Sequence, residues 1–398
     1  MYNFLFPIIK NISFLFFGSV FLFALRNYYI LFFSKKNLHG TDKFMMNYYK
    51  YNNKCCYVGL KLRYDVNNEE FKNLINILEE KTKKINKIKY IKNNEIHEKY
   101  FKKDELIKYS KKNFNEIIDD KYILNGKGFV YIINLKNKSI YGYFNHVLYD
   151  GCKVINYFLK DIIPFYKKKY IFKLNKPKYY FFFTELLCIY NFLKLINYKK
   201  NQLKVKKSIL MNNENVIYHK YDINYLKKLK KNSKIKTISI VVSFYLKKIF
   251  DNLRSKKKYL NICILGGFEN DRFNNNYTFI KLQVKNTNLN DMIYYIDNTI
   301  KSKKLDGLIN YYLTQTFDFF YNVESINKKS TDVLFSPLYF LGDYESKHIE
   351  LFSRFHSSSL PIYISCIGDK NKITYSTHIR TNDINLDTFK KDSIEVDF

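Results

Sequence analysis

The heptad Asn145-His146-Val147-Leu148-Tyr149-Asp150-Gly151 sets a histidine four residues ahead of an aspartate and a glycine, between a strand-like run and a helix-like one. A histidine at a strand end can project its imidazole from the sheet and move a proton in group transfer, or it can be an ordinary structural residue. Asp150 can fix the tight turn or cap the helix that begins near Gly151, and the two roles are compatible. No Gly-x-Ser-x-Gly nucleophile turn occurs in the chain. The six cysteines form no C-x-x-C pair, and no histidine cluster stands at zinc-ligand spacing, so no metal is expected.

The elements that must hold this motif show as periodicities. "GFVYIINL" and "SIYGYFNH" are strand-like and separated by Lys-Asn-Lys, which predicts a hairpin with His146 at the end of its second strand. From Gly151 onward Val154, Ile155, Phe158, Leu159, Ile162 and Ile163 recur at three and four, the mark of an amphipathic helix. Upstream, "CCYVGLKLRYDV" is strand-like. The stretch after it carries Phe71, Leu74, Ile75 and Leu78 at helical spacing, with Asn68 as its N-cap. Downstream, "NVIYHKYDI" reads as a strand, "NYLKKLKKN" and "TISIVVSFYLKKIFDNL" as helices, and "LNICILGGF" and "FIKLQV" as strands. "LNDMIYYIDNTIKSKKL" reads as a helix, and "VLFSPLYFLG", "LPIYISCIG" and "KITYSTHI" as a strand-rich end. The expected organisation is α+β: residues 1–37 as an N-terminal membrane anchor, 38–170 and 211–398 as two subdomains, and 171–210 as a basic, aromatic crossover. That crossover is either a buried helix or a segment in a membrane interface.

With 398 residues, 46% hydrophobic and 19% aromatic, the chain can bury a large core, and disorder is excluded as a description. The formal charge of +32 would suit a nucleic-acid partner, but the lysines are spread along the chain and no nucleic-acid motif accompanies them. A basic surface of this kind attracts anionic headgroups or a phosphate-bearing co-substrate. The cysteines read as reduced thiols in a cytosol-facing protein. "NISFLFFGSVFLFAL", at 11–25, carries no charge, and the apolar character resumes at 28–33. This predicts a helix spanning a bilayer. Arg26, Lys35 and Lys36 outnumber Lys10, which keeps the body on the cytosolic side. An in-plane interfacial helix and a cleaved signal are the alternatives.

"NHVLYDG" resembles the HHxxxDG signature of the chloramphenicol acetyltransferase-like acyltransferases, with Asn145 in place of the first histidine. Within that group the chain is most similar to the wax ester synthase/diacylglycerol acyltransferase family. "LHGTDKFM" resembles that family's opening segment, with Asp42 at the matching aspartate. "LKKLKKNSKIKTISIVVSFYLKKIF" resembles its helix–Thr–helix segment around Thr237, and "PLYFLG" with the strands after it resembles its C-terminal part. The matches run in order over residues 38–390.

The resemblance implies two subdomains of mixed sheets flanked by helices, with an active-site tunnel between them. It implies transfer of a fatty acyl group from acyl-CoA to a lipid hydroxyl, a long-chain alcohol or diacylglycerol. His146 would be the general base, Asp150 the loop-holding residue, and Gly151 would give the turn room. Asn145, Thr237 and Ser336 are candidates to donate to the oxyanion, and Arg272 to pair with Asp150 or meet a CoA phosphate. Acyl-CoA is a co-substrate, and no resident cofactor is implied. The setting would be a membrane of the endoplasmic reticulum or lipid-droplet kind. A polyketide or glycolipid acceptor, or a membrane-tethered lipid-binding relative without catalysis, are the other readings.

Overall fold

The computed structural model describes residues 13–22, 24–26, 29, 45–46, 57–85, 87–93, 95–110, 126–149, 186, 190, 203, 215–229, 234–267, 277–303, 309, 331–340, 349–355, 360–368 and 371–394. After helical residues at 13–22, 24–26, 29 and 45–46 come β1 (Tyr57–Tyr64), α1 (Asn68–Lys83), β2 (Ile88–Lys92) and β3 (Glu95–Lys99). Next along the chain are α2 (Lys103–Leu106), β4 (Ile107–Tyr109), β5 (Phe129–Asn134) and β6 (Ser139–Asn145). Beyond them lie β7 (Asn215–Asp222), α3 (Ile223–Lys228), α4 (Thr237–Asp251), β8 (Tyr259–Gly267), β9 (Tyr277–Lys285) and α5 (Leu289–Ser302). The chain continues through β10 (Val333–Phe340), β11 (Ile349–Phe355), β12 (Ile362–Gly368), β13 (Lys372–Ile379), α6 (Leu386–Phe389) and β14 (Ser393–Ile394). The strands pair as a five-stranded sheet, β11-β1-β6-β5-β4, a seven-stranded sheet, β14-β7-β13-β12-β10-β8-β9, and the hairpin β2-β3.

Side-chain alternation gives each sheet two different faces. On the first sheet Val58, Leu60, Leu62, Phe129, Tyr131 and Ile133 share a cluster with Phe71, Ile75 and Leu78 of α1. Helix α1 starts where it does because Asn67 and Glu70 satisfy each other's backbone N–H groups, at 2.8 and 3.2 Å. The cap is therefore Asn67 rather than the expected Asn68: three residues beyond Asn68 stands Phe71, which cannot return the hydrogen bond. On the second sheet α4 and α5 cover one face, packing Val241, Leu246, Ile249, Ile293, Ile296 and Ile300 on its strands. Cys263 and Cys366 are both buried in this second core.

The other face of the second sheet meets the first sheet. Tyr363 and Ile367 of β12 enter the cluster under α1, and Tyr218 of β7 packs on the opposite side of the first sheet with Val130, Ile132, Tyr141 and Tyr143. Between these two contacts runs β11. It comes from the C-terminal half of the chain yet pairs antiparallel with β1, with Leu60 opposite Ser353 and Lys61 opposite Phe352. The first sheet thus stands by its β11 edge on the second, and Ser353 Oγ lies 3.0 Å from Ser365 Oγ and 3.5 Å from Ser376 Oγ.

The spanning helix expected within residues 11–33 is not supported. Among the described residues no helix is long and apolar enough to cross a membrane. Hydropathy alone does not register what Val20 and Ala24 do: both are buried, and Ala24 joins the core cluster of the second sheet. The helix expected from Gly151 and most of the 171–210 crossover lie outside the described residues.

Candidate active site

Strand β6 ends at Asn145, and Asn145 organises the turn beyond it. Its N–H donates to Gly128 O at 2.8 Å, which keeps the strand end on β5. Its carbonyl accepts the N–H groups of Leu148 and Tyr149, both at 3.0 Å, and its Oδ1 accepts the Val147 N–H at 3.1 Å. An asparagine that bonds the backbone two residues on is an Asx turn, which reverses the chain without help from elsewhere. His146 sits at the apex of that turn, half-buried, flanked by fully buried Asn145 and Val147. Val147 is held beneath by Met45 and Met46. The Nδ2 of Asn145 is buried and has no hydrogen-bond partner among the described residues.

The turn is closed on its far side by an aromatic contact. The Tyr149 ring meets Phe144 edge-on at 6.2 Å and lies over Gly128. A Cβ at Gly128 would stand 2.7 Å from Tyr149 Cε2 and 2.7 Å from Lys89 O, so only glycine lets the ring and the β2 backbone approach so closely. Asp150, Gly151 and Arg272, all expected at the site, lie outside the described residues.

Thr237 is the first residue of α4 and is half-buried. The start of that helix is tied to α5: Asp297 Oδ1 accepts the Lys236 N–H and the Ser239 hydroxyl, each at 2.9 Å, and Oδ2 pairs with Lys301. Burial would raise the Asp297 carboxyl, but Lys301, the Lys236 N–H and Ser239 outweigh it and hold it below the ordinary carboxylate range.

Ser336, on β10, is buried and hydrogen-bonded to Tyr363, whose phenol burial pushes up. In register it faces Ser365, which faces Ser376, so three hydroxyls cross β10, β12 and β13 in one row beneath Ser353. Ser336 is therefore on the face of the second sheet that meets the first, and among the described residues no hydrogen bond joins it to Asn145.

The remaining histidines separate by environment. His219 is fully buried, with Nδ1 2.7 Å from Tyr245 Oη and Nε2 3.0 Å from Phe389 O. A carbonyl can only accept, so Nε2 carries the proton and Nδ1 accepts from the tyrosine. Burial and then Lys248 lower its pKa to about 4, which makes it a neutral structural residue. His378 is buried on β13 edge-on to Tyr363, 5.6 Å between centroids, on the sheet face that carries Ser376 and Ser365. Alternation along "KITYSTHI" offered the only sequence signal for that placement. Among the described residues no group of His, Cys, Asp and Glu could hold a metal ion.

Known structures share this architecture at low sequence identity. Trichothecene 15-O-acetyltransferase from Fusarium sporotrichioides is similar over 89% of this chain and 93% of its own, with a TM-score of 0.59 and 10% identity. Polyketide synthase associated protein 5 from Mycobacterium tuberculosis is similar over 90% and 98%, with a TM-score of 0.54 and 9% identity. The wax ester synthase/diacylglycerol acyltransferase from Marinobacter aquaeolei VT8 is similar over 90% and 98%, with a TM-score of 0.51 and 11% identity. The sequence matches no family model and no curated protein sequence. The chain has the fold of the chloramphenicol acetyltransferase-like acyltransferases and condensation domains. The wax ester synthase/diacylglycerol acyltransferase family, which the order of the sequence motifs resembles, is among the structures that share it. At these identities the likeness speaks to the fold alone.

Proposed function

We propose that the protein is an acyltransferase that moves a fatty acyl group from acyl-CoA to a lipid hydroxyl, a long-chain alcohol or diacylglycerol, with His146 as general base. The observation that carries this reading is the Asx turn at the end of β6, which holds His146 half-buried between fully buried neighbours. A neutral imidazole, with a reference pKa of about 6.5, takes the hydroxyl proton as the oxygen adds to the thioester carbonyl carbon. As the tetrahedral centre collapses, the C–S bond breaks, the ester C–O bond remains, and the proton passes from His146 to the departing thiolate. No acyl-enzyme and no resident cofactor take part. Asp150 holds the loop, Gly151 gives the turn room, and Thr237, Ser336 and Arg272 contact substrate. The acceptor reaches the site from a membrane while acyl-CoA arrives from the cytosolic side.

The test uses the full chain in micelles with labelled palmitoyl-CoA and hexadecanol or diacylglycerol. His146→Ala is expected to lower ester formation by ~10²–10⁴-fold. Equal ester from both proteins would remove His146 as the base. No ester from either, with saturable lipid binding, would favour a binding protein on the same fold.

A further inference from the structure

The N-terminal helical residues are fastened to the body by one side and apolar on the other. Val20 and Ala24, one turn apart, are 7% and 8% exposed, and Ala24 packs into the core of the second sheet. Phe14, Phe17, Phe21 and Leu25, spaced by three and four, remain 78%, 52%, 53% and 51% exposed, with Leu15, Leu22 and Tyr29 beside them at 68%, 67% and 62%. At 100° per residue these seven positions form one continuous stripe, about 160° wide, that begins beside the edge held by Val20 and Ala24, with Phe16, 51% exposed, on the other flank of that edge. A contiguous apolar surface of this size exceeds what a soluble monomer leaves bare without a purpose.

Charge selects the occupant. No acidic residue precedes Asp42 in the sequence, Arg26 lies among the helical residues, Lys10, Lys35 and Lys36 flank them in the sequence, and the whole chain carries +32. An apolar, aromatic-rich stripe in a strongly basic stretch of sequence matches the interface of an anionic bilayer, where rings lie at headgroup depth and basic groups meet lipid phosphates. We propose that this stripe docks the protein onto an anionic phospholipid leaflet, the helix lying in the plane of the interface with the second sheet directly above it. Contact of Ala24 with the core, and burial of Val20 beside it, are what an in-plane helix requires. This deepens the membrane association proposed with the acyl-transfer reading and does not depend on the catalytic assignment.

The full chain, purified in detergent and diluted onto preformed vesicles, is floated with phosphatidylcholine alone or with an equal mixture of phosphatidylcholine and phosphatidylserine. Partitioning to the anionic vesicles is expected to be at least about fivefold stronger, the gain from a single basic group near such a surface. Phe17→Ser/Phe21→Ser/Leu25→Ser is expected to lose at least about a hundredfold in binding, with an unchanged melting temperature. His146→Ala, which should lower transfer ~10²–10⁴-fold, is expected to float like the native chain, so a failed catalytic assignment leaves this result intact. Equal flotation of the triple variant and native chain would overturn the proposal. So would retention after alkaline carbonate extraction, which marks a spanning helix. A native chain that ignores both vesicles but dimerises through the stripe would assign the surface to a second copy instead.

Discussion

Asn145 Oδ1 accepts the Val147 N–H at 3.1 Å, so the residue before His146 builds the turn on which the imidazole stands. Asn145→Ala leaves that N–H without its partner, a loss of about 1–3 kcal/mol, but it also removes the buried, unpartnered Nδ2. The two effects oppose, so a small change in melting temperature is expected beside a clear fall in ester formation. Asn145→Ser, whose hydroxyl can accept the same N–H, should recover part of the activity. Equal activity in the alanine and serine variants would show that the turn does not position the base.

Gly128→Ala should disturb the same turn from the β5 side. Its Cβ would meet Tyr149 Cε2 and the Lys89 carbonyl at 2.7 Å, and backbone cannot yield as a side chain can. A destabilisation of about 1–3 kcal/mol is expected in chemical denaturation. Adding Tyr149→Ala relieves the ring contact but not the carbonyl, so rescue should be partial.

Asp297 ties α4 to α5 through Lys236, Ser239 and Lys301. Its pKa is lowered on folding, so its contribution is fully present above the ordinary carboxylate pKa of about 4 and is lost as pH falls through the folded value. Asp297→Asn is expected to lower the melting temperature at neutral pH. The gap to the native chain should close in acid, as measured by melting curves across pH.

His219 works in the same direction for a different reason. Burial holds it neutral with a pKa of about 4, whereas the unfolded chain takes up a proton near 6.5. The stability this contributes is complete above pH 6.5 and is lost progressively as pH falls from 6.5 to about 4, amounting to about 3 kcal/mol. His219→Asn should flatten that part of the stability–pH curve. An unchanged slope would place His219 elsewhere than in the buried bond to Tyr245.

The local elements and the motif are legible in the order of residues alone. Phe71, Ile75 and Leu78 recur at the helical period and are the buried face of α1, and the paired runs around Lys-Asn-Lys are β5 and β6. Such signals can be read because each comes from residues a few positions apart that must share one face. The hairpin β2-β3 and the strand β11 escaped that reading. β11 is defined by pairing with β1, which lies far back in the sequence, and no local pattern records a partner so distant. Three relationships belong to the packed fold: the first sheet stands on the second through Ser353, His378 is buried on the face of the second sheet carrying Ser376, and Ala24 holds an apolar helix against the core. Periodicity tells a side chain which face it shares, and only long-range packing tells that face what it meets.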